Sequence, residues 1–337
     1  MNIHGITALR RFMRRLNSAL RMSCDSSRDP SSEKRAAEAP FLIAVVRNEM
    51  LRLPRFLDHY RKLGVRCFHI IENNSTDETA EYLRGQIDVT LHRTGESFTK
   101  KESWIDLLLH RYGVGRWCLV VDADELLDYP DSDQVPLPEL CRYLEEGGKN
   151  ALHALLLDLY PQTPPQEVAY KPGTDYFTME WFFDPPEMMT KVPRHFWKGS
   201  GLDYRFEGGM RERVFGIRNC CSKFPLFRFS KGMYLHDGQH YLEGAHVSGL
   251  RGVLHHFKYL QDFVPHVREE ARRGEHWRDG SEYKQYARVM DEREGGVNFH
   301  FPGSIRYLEA SQMEALGVTK RPAGYLPPLG VGGSTKS

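Results

Sequence analysis

Trp117-Cys-Leu-Val-Val-Asp122-Ala-Asp124-Glu125-Leu-Leu127 is the stretch whose reading decides the fold. An apolar run, Cys118 to Val121, ends in two carboxylates separated by one small residue. Read as a buried strand, it delivers Asp122 and Asp124 to its C-terminal edge, where open α/β sheets bind their ligands. Residues two apart on an extended backbone share a side, so the pair can share a hard divalent cation, which can in turn neutralise a diphosphate. Glu125 reads either as a partner behind that pair or as a plain surface acid. A second Asp-x-Asp, Asp131-Ser-Asp133, lies between Pro130 and Pro136 with no strand before it and reads as a solvated loop.

Outward from this stretch, strand and helix signals alternate. Strands are predicted over Phe41 to Val46, Val65 to Ile71, Asp88 to His92, Arg116 to Val121 and Ala151 to Leu159. Between them, Leu53, Phe56, Leu57, Tyr60 and Leu63 recur at helical spacing, and further helices are predicted through Leu83, over Lys101 to Tyr112 and over Leu137 to Glu146. Strands separated by helices imply crossovers and a mixed, mainly parallel sheet flanked by helices, a Rossmann-like α/β fold. After Tyr160 the rhythm is lost among prolines, glycines and aromatics, including Trp181, Phe182, Phe183, Phe196 and Trp197. Short strand-like pieces are predicted at 211–217 and 224–236, and helices at roughly 259–273 and 281–293. One domain, 40–316, is expected, with a nucleotide-binding first half, an acceptor-shaping second half and a disordered tail over 317–337.

The 337 residues are 40% hydrophobic and 27% charged with a net charge of +1, ordinary globular composition that gives no sign of a nucleic-acid partner. The six cysteines show no zinc-ligand spacing, and Cys67 and Cys118 sit inside apolar runs, the pattern of reduced, buried thiols in a cytoplasmic setting. No run reaches the ~18 apolar residues of a membrane span. Residues 1–22 carry Arg10, Arg11, Arg14, Arg15 and Arg21 beside an apolar stripe of Ile6, Leu9, Phe12, Met13, Leu16 and Leu20. This reads as a basic amphipathic helix that touches the inner face of a membrane peripherally, or as a disordered extension. Residues 23–40 read as a linker, so that 1–39 stands apart from the domain.

Val45-Val-Arg-Asn-Glu49, Ile71-Glu-Asn-Asn-Ser-Thr-Asp77 and Val121-Asp-Ala-Asp-Glu125, in that order, resemble the family 2 glycosyltransferases, in particular the subgroup with Arg-Asn-Glu and Asp-Ala-Asp-Glu motifs. Gly208-Gly-Met-Arg-Glu-Arg-Val-Phe-Gly216 and Leu254-His-His-Phe-Lys-Tyr-Leu260 resemble the C-terminal motifs of the same subgroup. The resemblance covers roughly 41–290. It implies a GT-A fold, a nucleoside-diphosphate sugar as donor (a UDP-sugar first), Mn²⁺ or Mg²⁺ as cofactor, a glycan or lipid-linked acceptor, and inversion at the anomeric carbon. It also implies a further metal ligand in the histidine before Phe-Lys, His256, so the expected metal set is Asp122, Asp124 and His256.

Other candidates follow from position. Arg47, Asn48 and Glu49 leave the first strand at its ligand-facing end and can touch base or ribose; the alternative is a helix cap, with Glu49 favoured by the helix dipole. Glu72, Asn73 and Asp77 follow the second strand. Family members usually carry an aspartate near Glu72-Asn73 that meets the base, and Asp77 also reads as capping chemistry. Arg211 and Arg213 can grip phosphate bidentately if they face inward, and Lys258 adds charge beside His256. A base for the acceptor hydroxyl needs a carboxylate or histidine within reach; Glu180, Asp184 and Asp237 are the candidates. Two rival readings remain. Nucleotidyl transfer to a sugar phosphate normally wants a Gly-rich loop after the first strand, and Arg47-Asn-Glu-Met lacks the glycines. A non-catalytic carbohydrate-binding relative predicts a damaged metal site.

Overall fold

The computed structural model describes residues 17–25, 39–193, 201–293 and 296–325, together with Met13 and Arg15. Phe196 and Trp197, most of the basic N-terminal segment, the linker over 26–38 and the tail from 326 lie outside the described residues.

Nine strands form the main sheet: β1 (Ser23–Asp25), β2 (Phe41–Val46), β3 (Phe68–Glu72), β4 (Val89–Arg93), β5 (Trp117–Val120), β6 (Glu125–Asp128), β7 (Ala151–Asp158), β8 (Ser222–Arg228) and β9 (Val247–His256). Their order is β1-β4-β3-β2-β5-β8-β7-β9-β6. Six of them (β4, β3, β2, β5, β7 and β9) run one way, and β1, β8 and β6 run against them. The sheet is thus mixed and mainly parallel, as the alternating pattern predicts. Its order reverses beside β2, since β3 and β4 lie to one side and β5 to the other. A crevice opens at the C-terminal ends of strands at such a reversal; β2 leads Arg47 and Glu49 into it, and β5 leads Asp122 and Asp124.

The central strands are buried at every position, and successive side chains join opposite layers. Leu42, Ala44 and Val46 join one apolar layer, which also holds Leu53, Phe56, Leu57 and Tyr60 of helix α1 (Leu53–Lys62). Phe41, Ile43 and Val45 join the other, with Trp104, Ile105 and Leu108 of α3 (Lys101–Leu108). The short α2 (Thr79–Arg84) links β3 to β4, and α4 (Leu137–Glu146) follows β6. Two helices, α6 (Phe263–Arg273) and α7 (Trp277–Asp291), form a third apolar cluster with Tyr160, Tyr259 and Phe299 and wall one side of the crevice. α1 also sets the start of β6: the Tyr60 hydroxyl donates to the Glu125 carbonyl (2.9 Å) and accepts from the Leu127 amide (3.0 Å).

Four expectations need correction. The 211–217 stretch is not a strand but helix α5 (Met210–Phe215), entered through Gly208 and Gly209 and closed by Gly216 in the left-handed conformation (φ 69), the usual glycine helix stop. The N-terminal segment is not wholly separate: Ser23–Asp25 adds an edge strand to β4, Ser18 is buried and Arg15 meets Asp106 (3.3 Å). The C-terminal tail is docked through residue 325, with Val318, Thr319 and Tyr325 buried and Arg251 and Lys320 paired through their backbones. Finally, Asp131 is not free in solvent, because Arg321 forks onto it at 2.5 and 2.9 Å. Among the described residues no helix is long and apolar enough to cross a membrane.

Candidate functional site

The crevice beside β2 and β5 is a cleft of about 210 Å³. It takes in Arg47, Glu49, Asp122, Asp124, Glu125, Arg211, His256 and Lys258 from the sequence candidates, and adds Arg52, Lys101, Lys223, His240, Glu270, Arg273, Glu282 and Tyr283.

Strand register builds its centre. His256 ends β9, paired with Asp158 at the end of parallel β7 and with Glu125 at the start of antiparallel β6. Side chains of paired residues lie on the same face, so Asp158, His256 and Glu125 stand in one row. The His256 ring joins two carboxylates: Nδ1 donates to Asp158 Oδ1 (2.6 Å), and Nε2 lies 3.0 Å from Asp124 Oδ2. Asp158 is locked from behind by Arg211 Nε at 2.9 Å. Asp122 is gripped by two ammonium groups, Lys101 at 2.5 Å and Lys223 at 3.2 Å, and Lys223 also meets Glu125.

These contacts set the charges. Burial raises the Asp122 carboxyl, but Lys101 and Lys223 outweigh it and hold the group well below the usual carboxylate range. Burial likewise raises Asp124, and His256, with Arg52 and Lys258 farther off, pulls it well below that range. Burial lowers the His256 imidazole, whereas Asp124 and Asp158 lift it to about 9. Glu125 is raised, by burial first and against the pull of Lys223. Glu49 is pushed up to about 8 by burial, opposed by Arg52 and reinforced by Asp124, Asp262 and Asp122.

Among the described residues, Asp124, Glu125 and His256 bring ligand atoms within 4.8 Å of one another. This group holds Glu125 where the expected metal set has Asp122, whose carboxylate oxygens instead meet Lys101 and Lys223. The reason is local. β5 ends at Val120, so Asp122–Asp124 form a turn in which strand alternation no longer holds, and β6 begins at Glu125 opposite His256. Two carboxylates and an imidazole suit Mn²⁺. The second ring nitrogen of His256 donates to a carboxylate, the arrangement that aims a metal-ligating histidine.

No protein-family model matches the chain, and no curated protein matches it. Among solved structures, HddC from Yersinia pseudotuberculosis is similar over 56% of this chain and 73% of its own, at 7% identity and a TM-score of 0.30. A 4-diphosphocytidyl-2C-methyl-D-erythritol synthase is similar over 42% of this chain and 70% of its own, at 12% identity and a TM-score of 0.24. Neither likeness is close enough to carry an argument about chemistry. The glycosyltransferase resemblance therefore rests on its motifs.

Several sequence candidates stand outside the cleft lining. Asn48 and Asp77 staple two loops: the Asn48 side chain accepts from Thr76 N (2.7 Å), and Asp77 accepts from Met50 N (3.2 Å) and Thr79 N (3.1 Å). Glu72 is buried, accepting from Ser75 N (2.5 Å) and pairing with Arg93 (3.1 Å). Asn73 donates to the carbonyls of Thr94 and Glu96 at 3.0 and 2.8 Å. Arg213 forks onto Asp184 (2.8 and 2.7 Å), whose other contact is the Tyr160 hydroxyl (2.6 Å), so both hold the α5 region together. Glu180 pairs with Arg306 on the surface, and Asp237 is exposed in a hairpin turn. Three candidates for the base, Glu180, Asp184 and Asp237, thus lie away from the cleft.

Sequence reasoning missed Asp158, Lys101 and Lys223, though each left a signal. Asp158 ends an eight-residue buried strand, the same pattern that singled out Asp122. Lys101 starts a helix, where the dipole disfavours a cation unless an anion faces it. Lys223 is a charge within a buried strand, which requires a partner.

Proposed function

We propose that the protein is a GT-A-type glycosyltransferase that moves a sugar from a nucleoside-diphosphate sugar, UDP-sugars first, to a glycan or lipid-linked acceptor. The observation that supports this reading is the juxtaposition, at the reversal point of the sheet, of the Asp124–Glu125–His256 ligand set with the cations Lys101, Arg211 and Lys258. Mn²⁺ or Mg²⁺ held by Asp124, Glu125 and His256 would supply Lewis-acid neutralisation of the departing diphosphate. Arg211 has a buried Nη2 without a hydrogen-bond partner and lines the cleft, so it can donate to a phosphate oxygen. Lys258, stacked over Tyr283, adds a second positive charge beside it. Of the six carboxylates in the lining, Glu49 has a proton affinity raised into the neutral range and is the proposed acceptor of the hydroxyl proton.

Nucleotidyl transfer to a sugar phosphate is the second reading. It is favoured by the seven Lys and Arg side chains in the lining, more than one diphosphate calls for. One assay separates the two. Nucleotide sugars should yield nucleoside diphosphate in a Mn²⁺-dependent way under the first reading. A nucleoside triphosphate with a sugar phosphate should yield pyrophosphate under the second. Silence in the first arm with turnover in the second would replace the glycosyltransferase reading.

Peripheral membrane contact through residues 1–22 is part of the same proposal. Met13 and Leu20 are exposed apolar residues, and Leu20 is followed directly by the exposed Arg21. Removing residues 1–12, which leaves Ser18 and β1 in place, should reduce sedimentation with anionic vesicles. Unchanged sedimentation would discard the contact.

A further inference from the structure

Resting on the reading of the cleft as a donor site, we propose that Gln239 is a positioning residue: its side-chain carbonyl holds the Lys223 ammonium against Asp122 and Glu125. Gln239 lies in the turn between two short strands, Tyr234–His236 and Tyr241–Glu243. Three successive residues there, Asp237, Gly238 and Gln239, adopt left-handed φ values of 50, 59 and 72. Asp and Gly tolerate that region; Gln has no local reason to enter it. Gln239 is nevertheless buried, at 1% exposure, and its Nε2 has no hydrogen-bond partner. A strained backbone and an orphaned amide nitrogen both cost stability, and such costs concentrate where function requires them.

The turn is fitted to β8 on both sides of Lys223. The Phe224 amide donates to the Gln239 carbonyl (3.0 Å), and His240 Nδ1 donates to the Ser222 carbonyl (2.8 Å). β8 pairs with β5 only over Leu226–Arg228, because β5 leaves the sheet for the Asp122–Asp124 turn. The 237–240 turn occupies the edge thus exposed. Gln239 Oε1 then accepts from Lys223 Nζ at 3.3 Å. An ammonium has three N–H groups, and Lys223 finds three acceptors: Asp122 Oδ2, Glu125 Oε1 and Gln239 Oε1. Without the third, the ammonium recentres between the two carboxylates and draws Glu125 away from Asp124 and His256.

Two variants of the full-length chain test this: Gln239→Leu, which keeps the bulk and removes the acceptor, and Gln239→Glu, which keeps the acceptor. UDP binding in the presence of Mn²⁺, measured by calorimetry, should weaken about tenfold in Gln239→Leu, the lower end of what loss of an outer-shell partner does to metal sites, and recover in Gln239→Glu. A role limited to folding would lower the melting temperature and leave that affinity at the wild-type value, which would overturn the proposal. NMR of ¹⁵N-lysine-labelled protein gives a reading that needs no nucleotide. A slowly exchanging ammonium signal, assigned by its absence in Lys223→Met, should vanish in Gln239→Leu and persist in Gln239→Glu. Its persistence in Gln239→Leu would refute the positioning role even if the wild type bound no nucleotide, whereas absent nucleotide binding with the predicted NMR change would refute the donor-site reading alone.

Discussion

His256 Nδ1 lies 2.6 Å from Asp158 Oδ1, which leaves Nε2 facing Asp124. Asp158 therefore fixes which ring nitrogen can give its lone pair to a cation. Asp158→Asn keeps the shape but weakens the acceptor and frees Arg211 from its buried counter-charge. The Mn²⁺ concentration giving half-maximal activity should rise roughly 10–100-fold, and His256→Ala should shift it in the same direction. An unshifted Mn²⁺ titration in Asp158→Asn would mean that the ring is oriented by something else.

Under the proposed function, a cation held by Asp124, Glu125 and His256 would keep open positions for phosphate oxygens to complete. Mn²⁺ and UDP together should thus raise the melting temperature by more than the sum of their separate effects, since ligands that bind the native state stabilise it by mass action. Asp124→Asn should abolish the excess. Additive shifts in the wild type would argue against a shared site.

Much of this site was legible from strand ends. Each apolar run that closes on a carboxylate, at Asp122 and Asp158, delivers it to the same edge of the sheet, whereas the strand order, and with it the reversal beside β2, is not written in the alternating pattern. Nor could register be read. Only the pairing of β9 with β6 puts His256 opposite Glu125, and that pairing joins residues 131 positions apart in the chain. The same limit explains the second-half candidates. Arg213 and Asp184 were chosen by residue type, and only the fold reveals that they satisfy each other. The docked segments at either end escaped for a different reason. Ser23–Asp25 is held by backbone pairing to β4, which leaves no mark in side-chain patterning.

Acid sensitivity should report on His255. This residue is buried against Phe177 and Tyr307, and its Nε2 has no hydrogen-bond partner. Burial lowers its folded pKa from 6.5 to about 3. As pH falls below 6.5 the unfolded chain takes up a proton that the folded chain refuses. The stability is therefore complete above pH 6.5 and is lost progressively toward pH 3. By pH 5 this residue alone costs about 2 kcal/mol. His59, His240 and His266, lowered by burial to about 4, 3 and 4, act with the same sign. Replacing His255 by Leu should shrink the loss of unfolding free energy between pH 7.5 and 5 without altering Mn²⁺ demand. Equal pH dependence in variant and wild type, measured by urea unfolding, would show that the residue is not a buried neutral imidazole.

Asp184 separates a structural carboxylate from a catalytic one. It is buried, receives two hydrogen bonds from Arg213 and one from the Tyr160 hydroxyl, and lies outside the cleft lining. Arg213 also donates to the Phe299 carbonyl (2.7 Å) and stacks on the Phe301 ring, so the cluster ties α5 to the segment after α7. Asp184→Ala takes the carboxylate from a half-buried guanidinium and leaves the Tyr160 hydroxyl with Ser304 as partner, a loss of charged hydrogen bonds that typically costs about 2 kcal/mol. The melting temperature should drop accordingly, and Mn²⁺-dependent UDP affinity, measured well below the transition, should stay at the wild-type value. Glu49→Gln should do the reverse, sparing the fold and nucleotide affinity while removing transfer. If Asp184→Ala instead lost turnover with an unchanged melting temperature, the base would have to be sought beside Tyr160 rather than in the cleft.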